Sequence, residues 1–305
     1  MVRNGAISRT APRGADSGPG ERLRAASAEV LAEARRQVDA PEADDATSVH
    51  EFRKAMKRWR AILRLYEPMF GDEATHLRLE ARDLARELAG TRDARSALDA
   101  LKDLGKEALS PRTRATLKSR LEAIGASAEA ATLTDELRLR MRDTLDHAAA
   151  AEFGWPLDQV AFAAIVAGLA ASYGRARDAI PDDWATASPE AMHVLRQRVV
   201  VHRYQMELAV PLWPKIGRVW VAEAQKLRDR LGHYQDLTLL RSLTAPHAPL
   251  APWRSRLVPL IAARQAEHAA AAERVARRMF AEKPKAFRRR LMSLWEGRQA
   301  EKDEE

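Results

Sequence analysis

The sequence predicts an all-α protein, and three observations carry that prediction. Alanine, leucine, arginine and glutamate, all strong helix formers, dominate nearly every segment. Alternating Val/Ile/Thr runs between turn dipeptides, the signature of strands, are missing. Prolines and glycines fall where one helical pattern stops and the next begins. A chain of 305 residues is long enough for one large domain or two medium ones, with a core that needs no disulfide.

Residues 1–20, rich in Gly, Pro, Ser and Arg, read as a disordered tail without the apolar centre of a signal peptide. Helices are then expected over 21–39, 47–67, 72–89, 94–105, 112–126, 131–151, 157–179, 189–210, 215–231, 236–244, 254–281 and 285–299. Their breaks are assigned to Pro41, Pro68, Gly71, Gly90, Pro111, Pro156, Pro181, Pro189, Pro211, Pro214, Gly232, Pro246 and Pro284. Short connections favour antiparallel bundles. The longest uncharged run, Gln159–Gly174, is shorter than the about 20 apolar residues of a membrane span. Bracketed by Asp158 and Arg175, it reads as a buried helix, and the protein as soluble. Near the C-terminus, Phe280, Phe287, Leu291 and Leu294 interleave with Arg277, Arg278 and Arg288–Arg290, which predicts an amphipathic helix packed on its neighbours. Residues 301–305 read as an acidic solvated tail.

Composition narrows the chemistry. Fifty-one Lys and Arg against 43 Asp and Glu leave a net charge of +8, which matters only if it is concentrated. The absence of cysteine excludes disulfide scaffolds, thiolate zinc sites, Fe–S clusters and Cys nucleophiles, and suits a reducing cytoplasm.

An internal repeat runs at a gapless offset of 143 residues. It maps His50 to His193, Arg53 to Arg196, Arg60 to Arg203, Leu65 to Leu208 and Pro68 to Pro211. Further on it maps Leu84 to Leu227, Leu88 to Leu231, Ala89 to Gly232 and Asp93 to Asp236. Two related helical halves are expected, 21–152 and 156–300.

The informative segment is 50–66, HEFRKAMKRWRAILRLY. On a helix, His50, Arg53, Lys57, Arg60 and Arg64 share an arc of about 80°, flanked by Lys54 and Arg58. Phe52, Ala55, Met56, Trp59, Ile62, Leu63 and Tyr66 fill the opposite face. The strip spans about 21 Å. A solvated helix face mixes signs at i,i+4; here Lys54/Arg58 and Arg60/Arg64 are like pairs, and Glu51 is the only acid. That pattern favours an anion site. The second copy keeps His193, Arg196 and Arg203 on the arc but carries Gln197, Val200, Val201 and Glu207 where the first has Lys54, Lys57, Arg58 and Arg64. It is expected to be weaker. Arg198 and His202 point off the arc, and His202 reads as a core histidine. Asp93 and Asp236 are either helix N-caps or carboxylates that orient an Arg of the strip.

These residues resemble the CHAD domain, a conserved-histidine α-helical domain. The first half carries His50-x2-Arg53-Lys54-x2-Lys57-Arg58-x-Arg60, and the second His193-x2-Arg196 followed by Arg203. Leu88-Ala89-Gly90-Thr91-Arg92-Asp93 and Leu231-Gly232-His233-Tyr234-Gln235-Asp236 resemble the family's turns after each bundle helix. The resemblance covers nearly the whole chain from about residue 21. It implies two four-helix-bundle-like halves related by a pseudo-twofold axis, with basic residues around a central cleft. It also implies binding of inorganic polyphosphate and association with polyphosphate granules and other granule proteins. The polyphosphate-binding residues are then His50, Arg53, Lys54, Lys57, Arg58, Arg60, Arg64, His193, Arg196 and Arg203, supported by Asp93 and Asp236.

Two other functions compete. A nucleic-acid-binding protein fits the charge, but Trp59 faces away from the strip and no zinc-finger, RRM or KH pattern is present. A phosphate-ester or anhydride hydrolase would need metal-holding carboxylates, and the chain has no P-loop, GxGxxG or His-Glu-x-x-His. The expectation is therefore a non-enzymatic binder with no cofactor, no metal and no membrane partner.

Overall fold

The computed structural model describes residues 18–39, 45–88, 92–105, 107–128 and 133–303. Among them run ten α-helices and no strand. They are α1 (Pro19–Asp39), α2 (Asp45–Glu87), α3 (Arg92–Asp103), α4 (Pro111–Ala128), α5 (Asp135–Gly154), α6 (Phe162–Arg177), α7 (Pro189–Ala209), α8 (Pro214–Ser242), α9 (Arg254–Met279) and α10 (Pro284–Asp303). The all-α expectation holds. Most of the predicted tail, 1–17, lies outside the described residues, but α1 already starts at Pro19, whose missing N–H costs nothing in a first turn. At the other end α10 continues to Asp303, so the predicted acidic tail begins as helix.

α2 is a hairpin of two arms. Gly71 has φ 59° and ψ −129°, a conformation that only glycine adopts without strain, and the chain reverses there. Arg78 pairs with Glu67 across the reversal, and Arg53 Nη1 donates to the carbonyl of Leu88 at 3.2 Å. A straight helix would hold Arg53 and Leu88 about 50 Å apart. Pro68, an expected break, sits inside the first arm just before the reversal.

Two other expectations need correction. α8 runs unbroken through Gly232, so 215–231 and 236–244 are one helix. An interior glycine costs about 1 kcal/mol relative to alanine, less than the packing of α3, α7 and α9 on this helix supplies. The 157–179 segment begins as a 3-10 turn, Leu157–Gln159, and becomes α-helix only at Phe162. The alanine-rich run is buried, as expected. α6 packs against α2, α7 and α10, and it crosses α2 so closely that a Cβ on Gly168 would come within 2.9 Å of Leu65.

The core is built by the apolar faces predicted for these helices. Phe52, Met56, Trp59, Leu63 and Tyr66 of α2 are fully buried, as are Tyr173 of α6 and Phe287 of α10. Burying each such side chain contributes about 1.5–3 kcal/mol. A second cluster joins α3 and α4 to α8 and α9 through Leu101, Leu117, Leu121, Leu237, Leu240 and Ile261. Residues of 21–152 and of 156–300 thus share both hydrophobic clusters.

Candidate anion-binding site

The first arm of α2 and helix α7 cross antiparallel. Arg58 lies 3.8 Å from Glu207, Gln205 Nε2 donates to the Ala61 carbonyl at 2.7 Å, and Arg64 faces Arg198. The crossing has a corner on either side, and the two differ in charge.

At the first corner Arg60 and Arg64 meet Arg175 of α6 and Arg198 of α7. The second arm of α2 adds Arg78, Arg82 and Arg86 within electrostatic reach of Arg60. Only two carboxylates share this space among the described residues: Glu67, bonded to Arg78, and Asp83, bonded to Arg82 and 3.8 Å from Arg86. Burial, reinforced by Arg78, Arg82 and Arg86, lowers the affinity of the Arg60 guanidinium for its proton. Burial and then Arg78 push Arg64 down to about 10, with Arg198 and Arg175 acting in the same direction. Arg60 and Arg64 have no carboxylate within ion-pair distance among the described residues, and the buried Nε of Arg60 has no hydrogen-bond partner there. Like charges held this way destabilise the unliganded protein, and an anion relieves them.

The second corner is neutralised. Glu207 lies 3.0 Å from Arg203 and 3.8 Å from Arg58, with Glu29 nearby. Arg203 also stacks on Tyr204, its guanidinium carbon 4.8 Å from the ring centre.

The remaining predicted site residues spread along the helices. His50 is exposed at the outer end of the α2 strip, 3.9 Å from Glu51, and Lys54 pairs with Glu51 at 2.9 Å. Arg53 is half-buried and tied to the Leu88 carbonyl; Lys57 is half-buried. His193 contacts Gln197 and Gln235, which fix its ring. Because the helices are antiparallel, His50 and His193 lie on opposite sides of the crossing. Arg196 passes over Gly232 of α8, 3.6 Å from where a Cβ would stand. Asp236 follows Gly232 by one turn in the interior of α8, so its N-cap alternative is overturned. Asp93 lies in the first turn of α3, with its side chain outside the described residues.

The family model for the CHAD domain matches residues 22–245. The chain belongs to the CHAD domain family. Two solved structures share its fold. The crystal structure of the CHAD domain from the plant Ricinus communis is 19% identical, covers 92% of this chain and 94% of its own, and superposes with a TM-score of 0.54. PptA from Streptomyces chartreusis is 15% identical, with 86% of this chain and 99% of its own covered, at a TM-score of 0.56. No curated protein matches the chain.

Sequence reasoning missed five arginines of the first corner of this CHAD domain. Arg78, Arg82 and Arg86 carried a legible signal, since they are like charges at i,i+4, the same pattern that marked 50–66. Arg175 and Arg198 carried none, because each joins the corner only through helix packing. Arg198, read as pointing off the arc, faces Arg64 and Arg175. His202 is the buried core histidine expected: Trp220 Nε1 donates to its Nε2 at 3.1 Å, and burial pushes its pKa down to about 3. Trp59 is also buried and offers no face to a base. No described helix is long and apolar enough to cross a membrane. No group of three His, Cys, Asp or Glu side chains that could hold a metal occurs among the described residues.

Proposed function

We propose that the protein is a non-catalytic binder of inorganic polyphosphate, and that the polymer lies across the first corner of the α2–α7 crossing. The observation that carries this reading is the imbalance there: seven arginines share the space with two carboxylates among the described residues. Polyphosphate presents about one negative charge per phosphoryl unit, so several guanidinium forks can each grip a different unit. The corner is an open surface between helices, which suits a chain that enters and leaves. His50 and His193 gain charge when phosphates crowd them, extending the track at either end. Lys57, Arg53 and Arg196 flank it. The granule is the site of action that follows, with binding to its polymer as the means of recruitment.

The test is a polyphosphate-binding isotherm across a salt series. Affinity falls steeply with salt as counterions are released, and excess duplex or single-stranded nucleic acid at matched salt leaves polyphosphate bound. Displacement by nucleic acid would favour the nucleic-acid reading. No phosphate is released with or without Mg2+; release would make the protein a hydrolase. A fluorescent fusion follows polyphosphate granules in cells and disperses when the polymer is depleted.

A further inference from the structure

Six large apolar side chains are exposed among the described residues: Leu139, Phe153, Val194, Trp213, Ile216 and Val219. Five of them mark two separate helix faces.

The first face is at the start of α8. Trp213, Ile216 and Val219 form a row there, 49%, 40% and 60% exposed. Lys215 and Arg218 project from the same end of the helix. The start of α10 packs on the adjoining turn Val210–Leu212, and Arg290 lies over the Trp220 ring at 4.7 Å. That contact brings the exposed Lys285, Arg288 and Arg289 to the same region. The face is apolar with a basic rim.

The second face is on α5. Phe153 is 88% and Leu139 56% exposed, with the exposed Ala149 and Ala150 between them on the same side of the helix. Asp135, Glu136 and Asp143 are exposed along it. Beside Phe153, an apolar groove of about 390 Å³ opens between α5 and α1, with Ala28, Leu31 and Ala149 among its lining. The two arginines of the groove are already occupied: Arg35 by Asp146, and Arg24 by the carbonyls of Glu152 and Trp155. The groove has room for an aromatic side chain, and its rim is acidic.

We infer that the protein associates with itself head to tail, the Trp213 face of one copy docking on the Phe153 face of the next. Each face has what the other lacks: an exposed indole beside cations, and an apolar groove beside carboxylates. Exposed apolar patches rimmed by charge mark contact surfaces, and a tryptophan is the commonest anchor of one. The two faces lie on different helices, so the contact is heterologous. Every copy in a chain leaves one face open, and assembly proceeds to a ring or an open filament.

Sedimentation velocity on the full chain tests this. The wild type shifts to larger species as concentration rises, and high salt reverses the shift. Trp213→Ser with Val219→Ser, and separately Leu139→Ser with Phe153→Ser, each leave a monomer of unchanged helicity. Mixing the two double variants yields a one-to-one dimer and nothing larger, because each supplies the face the other has lost. The inference is overturned by a wild type that stays monomeric, by variants that assemble like the wild type, or by a mixture that stays monomeric. It is also overturned if the protein stays monomeric while vesicles of phosphatidylserine and phosphatidylcholine capture it through Trp213, which would make the face a membrane anchor.

Discussion

The two corners of the α2–α7 crossing are made from the same sequence repeat and reach opposite electrostatic states. Residue 64 and residue 207 are related by the 143-residue offset, as are residues 60 and 203. In the first corner both positions are arginine, and they face Arg175 and Arg198. In the second, arginine is kept at 203, but position 207 is glutamate and clamps both Arg203 and Arg58. One reversal of sign separates a cation cluster in need of an anion from a pair that already has one. The presence of the His-x2-Arg motif in a helix therefore does not make it a binding site; the charge two turns further on decides that.

The strongest way to break this comparison is to remove the first corner. Arg60→Glu with Arg64→Glu is expected to weaken polyphosphate binding at least about a hundredfold, since each charge-assisted bond contributes about 1.5–3 kcal/mol. Arg196→Glu with Arg203→Glu is expected to cost far less, because Arg203 already spends its charge on Glu207. Equilibrium titration at fixed salt measures both. Equal losses would mean that the polymer displaces Glu207 and uses both corners alike.

The core behind the corners differs in the same register. Trp59 in the first copy corresponds to His202 in the second, and both are fully buried. Burial holds the His202 pKa at about 3, below the about 6.5 of the unfolded chain. The unfolded state therefore takes up the proton first, and stability falls as pH drops below about 6.5, by about 2 kcal/mol at pH 5. Denaturant melts at pH 7 and pH 5 should show that loss. His202→Phe should flatten it while forfeiting the hydrogen bond from Trp220. An unchanged pH slope in the variant would place the acid sensitivity elsewhere.

Much of this architecture was legible from one sequence, because helix-forming residues and breakers report local structure directly. The helices, the apolar face of 50–66 and the buried alanine-rich run all follow from periodicity. The exceptions are tertiary. Gly232 and Pro68 are breakers by propensity, yet both lie inside helices that neighbours hold together. The site was legible only on the helix that carries the motif. Arg175 and Arg198 become part of it because α6 and α7 pack against α2, and no periodicity within either segment encodes that neighbour. Likewise, Glu207 was visible as a missing cation, but its bond to Arg58 on another helix was not.

Glu207 also offers the finest test of the comparison. Glu207→Gln removes one negative charge and leaves the volume unchanged, so Arg58 and Arg203 become available to phosphate. Affinity should rise several-fold, about 1 kcal/mol per freed contact, with a steeper dependence on salt because more cations engage the polymer. The wild type should approach the same state in acid. Burial raises the Glu207 pKa, so its carboxylate takes up a proton at a higher pH than an exposed glutamate would, and the clamp on the two arginines loosens as pH falls. Binding that strengthens toward acid in the wild type should therefore strengthen less in Glu207→Gln, and the residual trend belongs to His50 and His193. If the two proteins follow the same pH profile, Glu207 does not govern the second corner, and the contrast between the corners must come from the arginines contributed by α6 and the second arm of α2.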